Sequence, residues 1–237
     1  MWIACTNRDT IKLAAQKGLG ALAFSFVDPD EAQTWVDIYY DIIKSDECVP
    51  LGHSVNANLA LVSGFSLHED RAQAIRRGQE GFEFFGYALN ALVARDTVPG
   101  RTNLWGEFQE SRSDDREQFI SEALAAGDDY SSCIGTPDDA RRYLTGMRQA
   151  GVDQTIFLQQ AGRNKHADIC ASLELFGSEL MSEFTADEPQ RVAAKEKELA
   201  PYIEAALARK QRMPDIADHD IPVVGASVKR AQTGGGL

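Results

Sequence analysis

Residues 1–26 read Met1-Trp2-Ile3-Ala4-Cys5-Thr6-Asn7-Arg8-Asp9-Thr10-Ile11-Lys12-Leu13-Ala14-Ala15-Gln16-Lys17-Gly18-Leu19-Gly20-Ala21-Leu22-Ala23-Phe24-Ser25-Phe26, and this stretch decides the fold class. Residues 2–6 form a short apolar run of the buried-strand type. Asn7 is a good N-cap for a helix that starts near Arg8, because its side chain can accept a bond from a first-turn amide. That helix carries Leu13, Ala14 and Ala15 and stops at Lys17-Gly18, where glycine suits the backbone of a helix end. Residues 21–26 are a second apolar run. A strand, a helix and a strand in succession predict a parallel pair with a helical crossover. The chain opens directly on the apolar run, whereas most domains begin with loose polar residues. It reads as a core element with upstream sequence missing.

The pattern continues outward. Asp28-Pro29-Asp30-Glu31 is a strong helix start, with an acidic cap, proline in the first turn and glutamate three residues on. Ala32, Trp35, Val36, Tyr39, Tyr40 and Ile43 then form one helical stripe. Residues 58–65 predict a third strand, and Glu69-Asp70 leads into a long helix bearing Ala74, Ile75, Phe82, Phe85, Leu89 and Leu92. Thr136-Pro137 starts another helix, with Ala140, Tyr143, Leu144 and Met147 on its stripe and Gly151 at its end. Residues 154–159 are a fourth strand. A helix with Ile169, Leu173, Phe176, Leu180 and Phe184 on one face follows. The reading is an α/β fold of about four parallel βα units plus C-terminal helices. Residues 1–185 form the main body. They include a loop and helix insertion at about residues 96–133, with a short helix near residues 119–126. Residues 186–237 are a C-terminal helix, roughly residues 188–212, and a flexible tail.

Composition excludes several classes. The 237 residues carry 36 acidic and 24 basic side chains, a formal net charge of −12, and no Lys/Arg run. Nucleic-acid binding and attraction to an anionic membrane are therefore not expected. A phosphate-bearing ligand is still accommodated locally, by backbone amides at a helix start. Cys5, Cys48, Cys133 and Cys170 are scattered, which reads as a reduced, cytoplasmic protein. His53, His68, His166 and His219 show no zinc spacing, so no metal is expected. No segment has the length of a membrane span. No glycine-rich dinucleotide fingerprint follows a strand, since Gly18-Leu19-Gly20 follows a helix.

Several motifs carry a family resemblance. Residues 2–11 followed by residues 14–20 resemble the middle of bacterial luciferase-like flavin-dependent monooxygenases. Gly81-Phe82-Glu83-Phe84-Phe85-Gly86-Tyr87 and Pro99-Gly100-Arg101-Thr102-Asn103-Leu104-Trp105 are similar to a branch of that family. So are Ile134-Gly135-Thr136-Pro137, Gly151-Val152-Asp153-Gln154, residues 160–166 and residues 172–176. The family fold is a (β/α)8 barrel. The four strands would match its second half, so the resemblance implies a partial TIM barrel, its C-terminal portion. It also implies an oxidoreductase that uses reduced FMN, supplied by a separate flavin reductase, to insert one oxygen atom of O2 into a small organic substrate. An oligomer is expected.

Ligands of parallel barrels sit at the C-terminal ends of strands. The first candidate is the turn with Thr6, Asn7, Arg8 and Thr10. There a helix start and its amides favour a phosphate, and Arg8 can add a charge-assisted bond. By resemblance this turn holds the FMN phosphate, with Asn7 at a usual serine position. The same residues read equally as a helix cap. Ser25, Phe65, His68, Gln159 and Gln160 are candidates for the substrate pocket. Gln159, Gln160, Arg163 and Asn164 also read as a polar loop with Asn164 capping the next helix. His68 could carry a proton and Cys5 could be a nucleophile, but neither has a partner at a telling spacing, and no catalytic residue is assigned. Phe82, Phe84, Phe85, Tyr87 and Trp105 could flank a ligand or form core. The alternatives are an inactive truncated barrel that binds flavin or pairs subunits, and a deazaflavin-dependent oxidoreductase.

Overall fold

The computed structural model describes residues 1–24, 27–94, 101–111 and 132–210. Its elements run β1 (Trp2–Cys5), α1 (Arg8–Gln16), β2 (Gly20–Ala23), α2 (Pro29–Ile43), β3 (Leu59–Leu67), α3 (Arg71–Ala94) and α4 (Leu104–Glu110). They continue with β4 (Cys133–Gly135), α5 (Pro137–Gln149), β5 (Gln154–Leu158), α6 (His166–Glu179), α7 (Met181–Thr185) and α8 (Glu188–Arg209). Every strand pairing is parallel. β1 pairs with β2, β2 with the start of β3, β5 with the middle of β3, and β4 with its last three residues. This is the α/β fold of a partial barrel.

The four strands expected from sequence are present, and the helix starts at Asn7, Asp28 and Thr136 hold as read. Asp28 caps α2 through Glu31 N at 2.8 Å. Thr136 and Asp139 form a reciprocal capping box at α5. Gly18 and Gly151 take left-handed backbone at φ 62° and 82°, where a side chain would be strained. Two short elements escaped the sequence reading, β4 and α4, and the single helix expected to carry both Leu180 and Phe184 is split at Leu180 into α6 and the short α7. At three to seven residues, none is long enough to show a period. The expected helix near residues 119–126 lies outside the described residues.

β3 is the centre, with all nine residues buried. Alternation sends Leu59, Leu61, Phe65 and Leu67 into the core under the outer helices, with Ile11, Trp35, Tyr39, Ile43, Tyr143 and Met147. Gly64 and Ser66 face the other way and meet α3. A Cβ on Gly64 would lie 2.7 Å from the Phe82 ring, and one on Gly78 would lie 2.3 Å from Ser66 Cβ. Glycine at both positions lets α3 lie directly on the sheet. Ser66 Oγ also donates to the Ala74 carbonyl at 2.9 Å.

β1 and β5 depart from the expected buried strands. In β1 only Cys5 is buried, and in β5 no residue is fully buried. Among the described residues each of them pairs with one strand only, as does the short β4. Trp2 and Ile156 stay 44% and 41% exposed. Leu173 of α6, expected on a buried face, is likewise exposed; that helix buries Ser172 instead, whose hydroxyl donates to the Leu67 carbonyl at 3.1 Å.

The last helix, α8, lies across the N-terminal ends of the strands. Lys195 Nζ donates to Asp153 Oδ1 at 2.7 Å, to Asn58 Oδ1 at 2.6 Å and to the Ala57 carbonyl at 3.2 Å. Asp153 Oδ2 accepts from Leu59 N at 2.7 Å and from the Tyr40 hydroxyl at 2.6 Å. Arg209 donates to the Ser45 and Cys48 carbonyls, and Lys210 to those of Leu51 and Gly52. One carboxylate thus joins α2, β3 and α8.

Candidate functional site

The turn after β1 is the first candidate, and the structure brings Thr6, Asn7, Arg8 and Thr10 together there. Asn7 Oδ1 accepts from Thr10 N at 3.0 Å. Thr10 Oγ1 accepts from Thr6 N at 3.2 Å and Asn7 N at 3.4 Å, and donates to the Asn7 carbonyl at 2.9 Å. The two side chains therefore cap α1 reciprocally, and their oxygens are already used. Among the described residues, no protein acceptor takes the amides of Arg8 and Asp9, which point out of the helix start. The Arg8 guanidinium forks onto Glu31, with Nη2 2.8 Å from both carboxylate oxygens. Arg8 and the Trp35 indole N–H together hold the Glu31 carboxyl below its ordinary range.

This geometry tests the fit of a phosphate. Donors for it are two backbone amides and, once released from Glu31, the Arg8 fork. Asn7 and Thr10 shape the turn: the Thr10 hydroxyl already donates to the Asn7 carbonyl, so of these two side chains only the Asn7 Nδ2 amide is a donor left for a phosphate. Asp9, an exposed carboxylate in the same turn, works against a dianion.

The other sequence candidates are spread along the same end of the sheet. Phe65 packs inside the core, stacked on Phe157 at 4.3 Å and edge-on to Phe176 at 5.8 Å, and does not face the open end. His68 begins the turn into α3, and its Nδ1 accepts from Asp70 N at 2.9 Å. Gln160 is exposed, whereas the Gln159 amide oxygen is buried with no partner among the described residues. Ser25 lies outside the described residues. Asn164 is not the cap of α6. That position belongs to Lys165, which makes no side-chain capping bond, because Asn164 Nδ2 turns back to the Gln159 carbonyl at 2.9 Å. Burial pushes the Cys5 thiol up, as suits a core cysteine and not a nucleophile.

Sequence reasoning missed a second grouping at this end. α3, α4 and the loop from β5 to α6 enclose a cavity of about 590 Å³, lined by Arg76, Arg77, Glu80, Trp105, Arg163 and Lys165 among others. Arg163 stands over the Trp105 ring at 5.0 Å. The aromatic concentration falls here too: Phe84 meets Trp105 at 4.9 Å and Phe108 at 5.4 Å, both edge-on. The arginine pair on α3 was the available signal, but only the tertiary contact with Arg163 gives it meaning. A further cavity of about 580 Å³, lined by Tyr40, Asp153, Lys195 and Glu198, lies at the opposite end, under α8. Among the described residues no cluster of three or more His, Cys, Asp or Glu could hold a metal, and no helix could cross a membrane.

The architecture has a counterpart among solved structures. The chain is similar to monooxygenase RslO1 from Streptomyces bottropensis, at 18% identity and a TM-score of 0.51, over 77% of this chain and 47% of that one. It also aligns with apo-MsnO8 (19% identity, TM-score 0.48, 75% of this chain, 49% of that chain). A coenzyme F420 dependent tetrahydromethanopterin reductase from Methanopyrus kandleri gives 20% identity and a TM-score of 0.44, over 77% of this chain and 50% of that one. The likeness to RslO1 establishes a shared fold. The chain spans about half the length of these proteins. No protein-family model and no curated sequence matches it.

Proposed function

We propose that the chain is the flavin-holding portion of a luciferase-like, flavin-dependent monooxygenase, an oxidoreductase that inserts one oxygen atom of O2 into a small organic substrate. The observation that carries this reading is the fold it shares with monooxygenase RslO1. The resemblance of the motifs in residues 2–20 points the same way. FMN, reduced by a separate reductase, would supply the redox chemistry, which belongs to the cofactor more than to side chains. That suits a strand end with no catalytic dyad.

The chain's own task at the turn is to hold a phosphate tail. The amides of Arg8 and Asp9 donate along the helix axis, and Arg8 supplies a bidentate cation when it leaves Glu31. The capping box keeps those amides aligned. Fluorescence quenching with oxidised and with reduced FMN tests the reading. Arg8→Ala is expected to weaken binding about tenfold and Glu31→Gln to strengthen it, by releasing the guanidinium. A chain that quenches neither form of FMN overturns the proposal. A preference for a deazaflavin over FMN would move the function to the sister class of oxidoreductases.

Strands β1 and β5, each with one partner strand among the described residues, favour a second reading, a module that pairs with another sheet edge. Trp2 on β1 and Ile156 on β5 are 44% and 41% exposed, and uncovered strand edges invite association. Light scattering after size exclusion decides between them; a monomer with a cooperative melt removes the pairing role.

A further inference from the structure

We propose that two copies of this chain close one barrel between them, with β5 of each copy laid beside β1 of the other. The inference rests on the pairing reading above, to which it gives a partner and a seam, and it is independent of the flavin reading.

At the level of residues 59–64 of β3 the sheet runs β1-β2-β3-β5, because β4 meets only Phe65, Ser66 and Leu67. β1 and β5, four and five residues long, each pair on one side only among the described residues. In β1 the groups that reach β2 belong to alternate residues. Gly20 N donates to the Met1 carbonyl at 3.0 Å and Phe24 N to the Cys5 carbonyl at 2.9 Å. Successive residues of a ladder turn to opposite edges, so the N–H and C=O groups of Trp2 and Ala4 point away from β2. No group among the described residues pairs with them.

The side chains have the same gap. Cys5 and Phe157 lie on the helix-covered face, in or against the core. Alternation puts Trp2, Ala4 and Ile156 on the opposite face, which a barrel turns inward and fills with side chains. Trp2 is folded flat along that face, since a Cβ on Gly20 would lie 2.6 Å from its ring. Yet Trp2, Ala4 and Ile156 are all exposed. Outside the sheet, a right-handed βα unit lays its helix over its own strand and the next one. α6 follows β5 and has no next strand to cover. Its Leu173 is 43% exposed, and on the β1 side Leu13 of α1 is 41% exposed.

The occupant follows from strand direction. Whatever fills the gap must bring one strand to β1 and another to β5, both parallel to those already present. A second copy, turned by half a rotation about the barrel axis, brings its β5 to β1 and its β1 to β5, so one seam is made twice. The same rotation sets Leu173 of each copy toward Leu13 of the other. Four strands from each copy give the eight that close a barrel of this kind. One copy covers 47% of RslO1, whose fold it shares.

Light scattering after size exclusion tests the ring on the full chain. The wild type is expected at about 52 kDa, twice the 26.0 kDa of one chain. Ala4→Pro removes an N–H that faces the seam and leaves the bonds to β2 in place. Ile156→Lys puts an ammonium into the closed interior. Each variant is expected to weaken the dimer at least about tenfold, with the circular dichroism of the wild type. Hydrogen exchange reads the seam without a variant: the Trp2 and Ala4 amides are expected to be protected in concentrated wild type and to exchange on dilution. A monomeric wild type overturns the ring and the pairing reading together. A dimer that withstands both variants, or yields to only one, keeps the pairing reading and overturns this seam. So do Trp2 and Ala4 amides that exchange freely in the dimer. A mass above two chains means an open row of edges and overturns the ring. FMN quenching measured on the same samples reports on the flavin reading separately.

Discussion

Gly64 in β3 and Phe82 in α3 approach so closely that a methyl group on the glycine would lie 2.7 Å from the aromatic ring. Gly64→Ala must move the ring or lift the helix, and overpacking of this kind costs about 1–3 kcal/mol. Gly86, in the same helix, has no neighbour within 4 Å of an added methyl. Gly86→Ala is therefore expected to stabilise by up to about 1 kcal/mol through helix propensity alone. Urea denaturation of the pair measures both signs; equal effects would mean that α3 does not rest on Gly64.

Asp139 links stability to pH. Burial works to raise its carboxyl. The bonds from Thr136 N and Oγ1, both 2.9 Å, outweigh it, with help from Arg142 and the Arg71 charge, and hold the group below its ordinary value. A depressed carboxyl stabilises the fold above its unfolded value, near 3.9, and loses that contribution as pH falls through the folded one. Asp139→Asn should reduce stability near pH 7, while the gap from wild type closes as pH falls through the folded value. A gap that stays constant with pH would remove Asp139 from the acid response.

The four thiols should react in two classes. Cys5, Cys48 and Cys133 are buried, and burial pushes each thiol up. Cys170 is part-exposed on α6, 3.5 Å from His166 Nε2. A disulfide reagent is expected to label one thiol quickly in the native protein and the other three only on unfolding. Mass spectrometry of the first product should place the label on Cys170.

Asp153→Ala is expected to be the costliest single carboxylate change at the strand starts. It strands the Leu59 amide, the Tyr40 hydroxyl and the Lys195 ammonium together, at about 3 kcal/mol. Lys195→Ala leaves the first two bonds in place, so its cost is about 1 kcal/mol. Chemical denaturation orders the two; a larger loss for Lys195→Ala would contradict the account.

The α/β class and the parallel order were legible because Ala21, Leu59 and their neighbours sit in short apolar runs between well-capped helices. Asp28 and Thr136 advertised those helices by local chemistry that tertiary structure did not alter. Phe65 was misplaced because strand position says which end a residue occupies, while its face depends on register, and this one points under α6. The capping box at Asn7 and Thr10 was visible as residue types. Their mutual bonding, and the fork from Arg8 to Glu31 that spans 23 residues, required the fold. The cavity around Arg163 was not legible, because its walls come from three separate elements that no spacing rule connects.

The grip of Arg209 on the Ser45 and Cys48 carbonyls spans 164 and 161 residues. A ribosome releases the lead into the central strand long before it makes the side chain that fastens it. Chains emerging from synthesis therefore carry an unlatched base for most of their length, and long-range closure of this sort slows folding. Residues 45–52 therefore go without these four carbonyl anchors until Arg209 and Lys210 have been made.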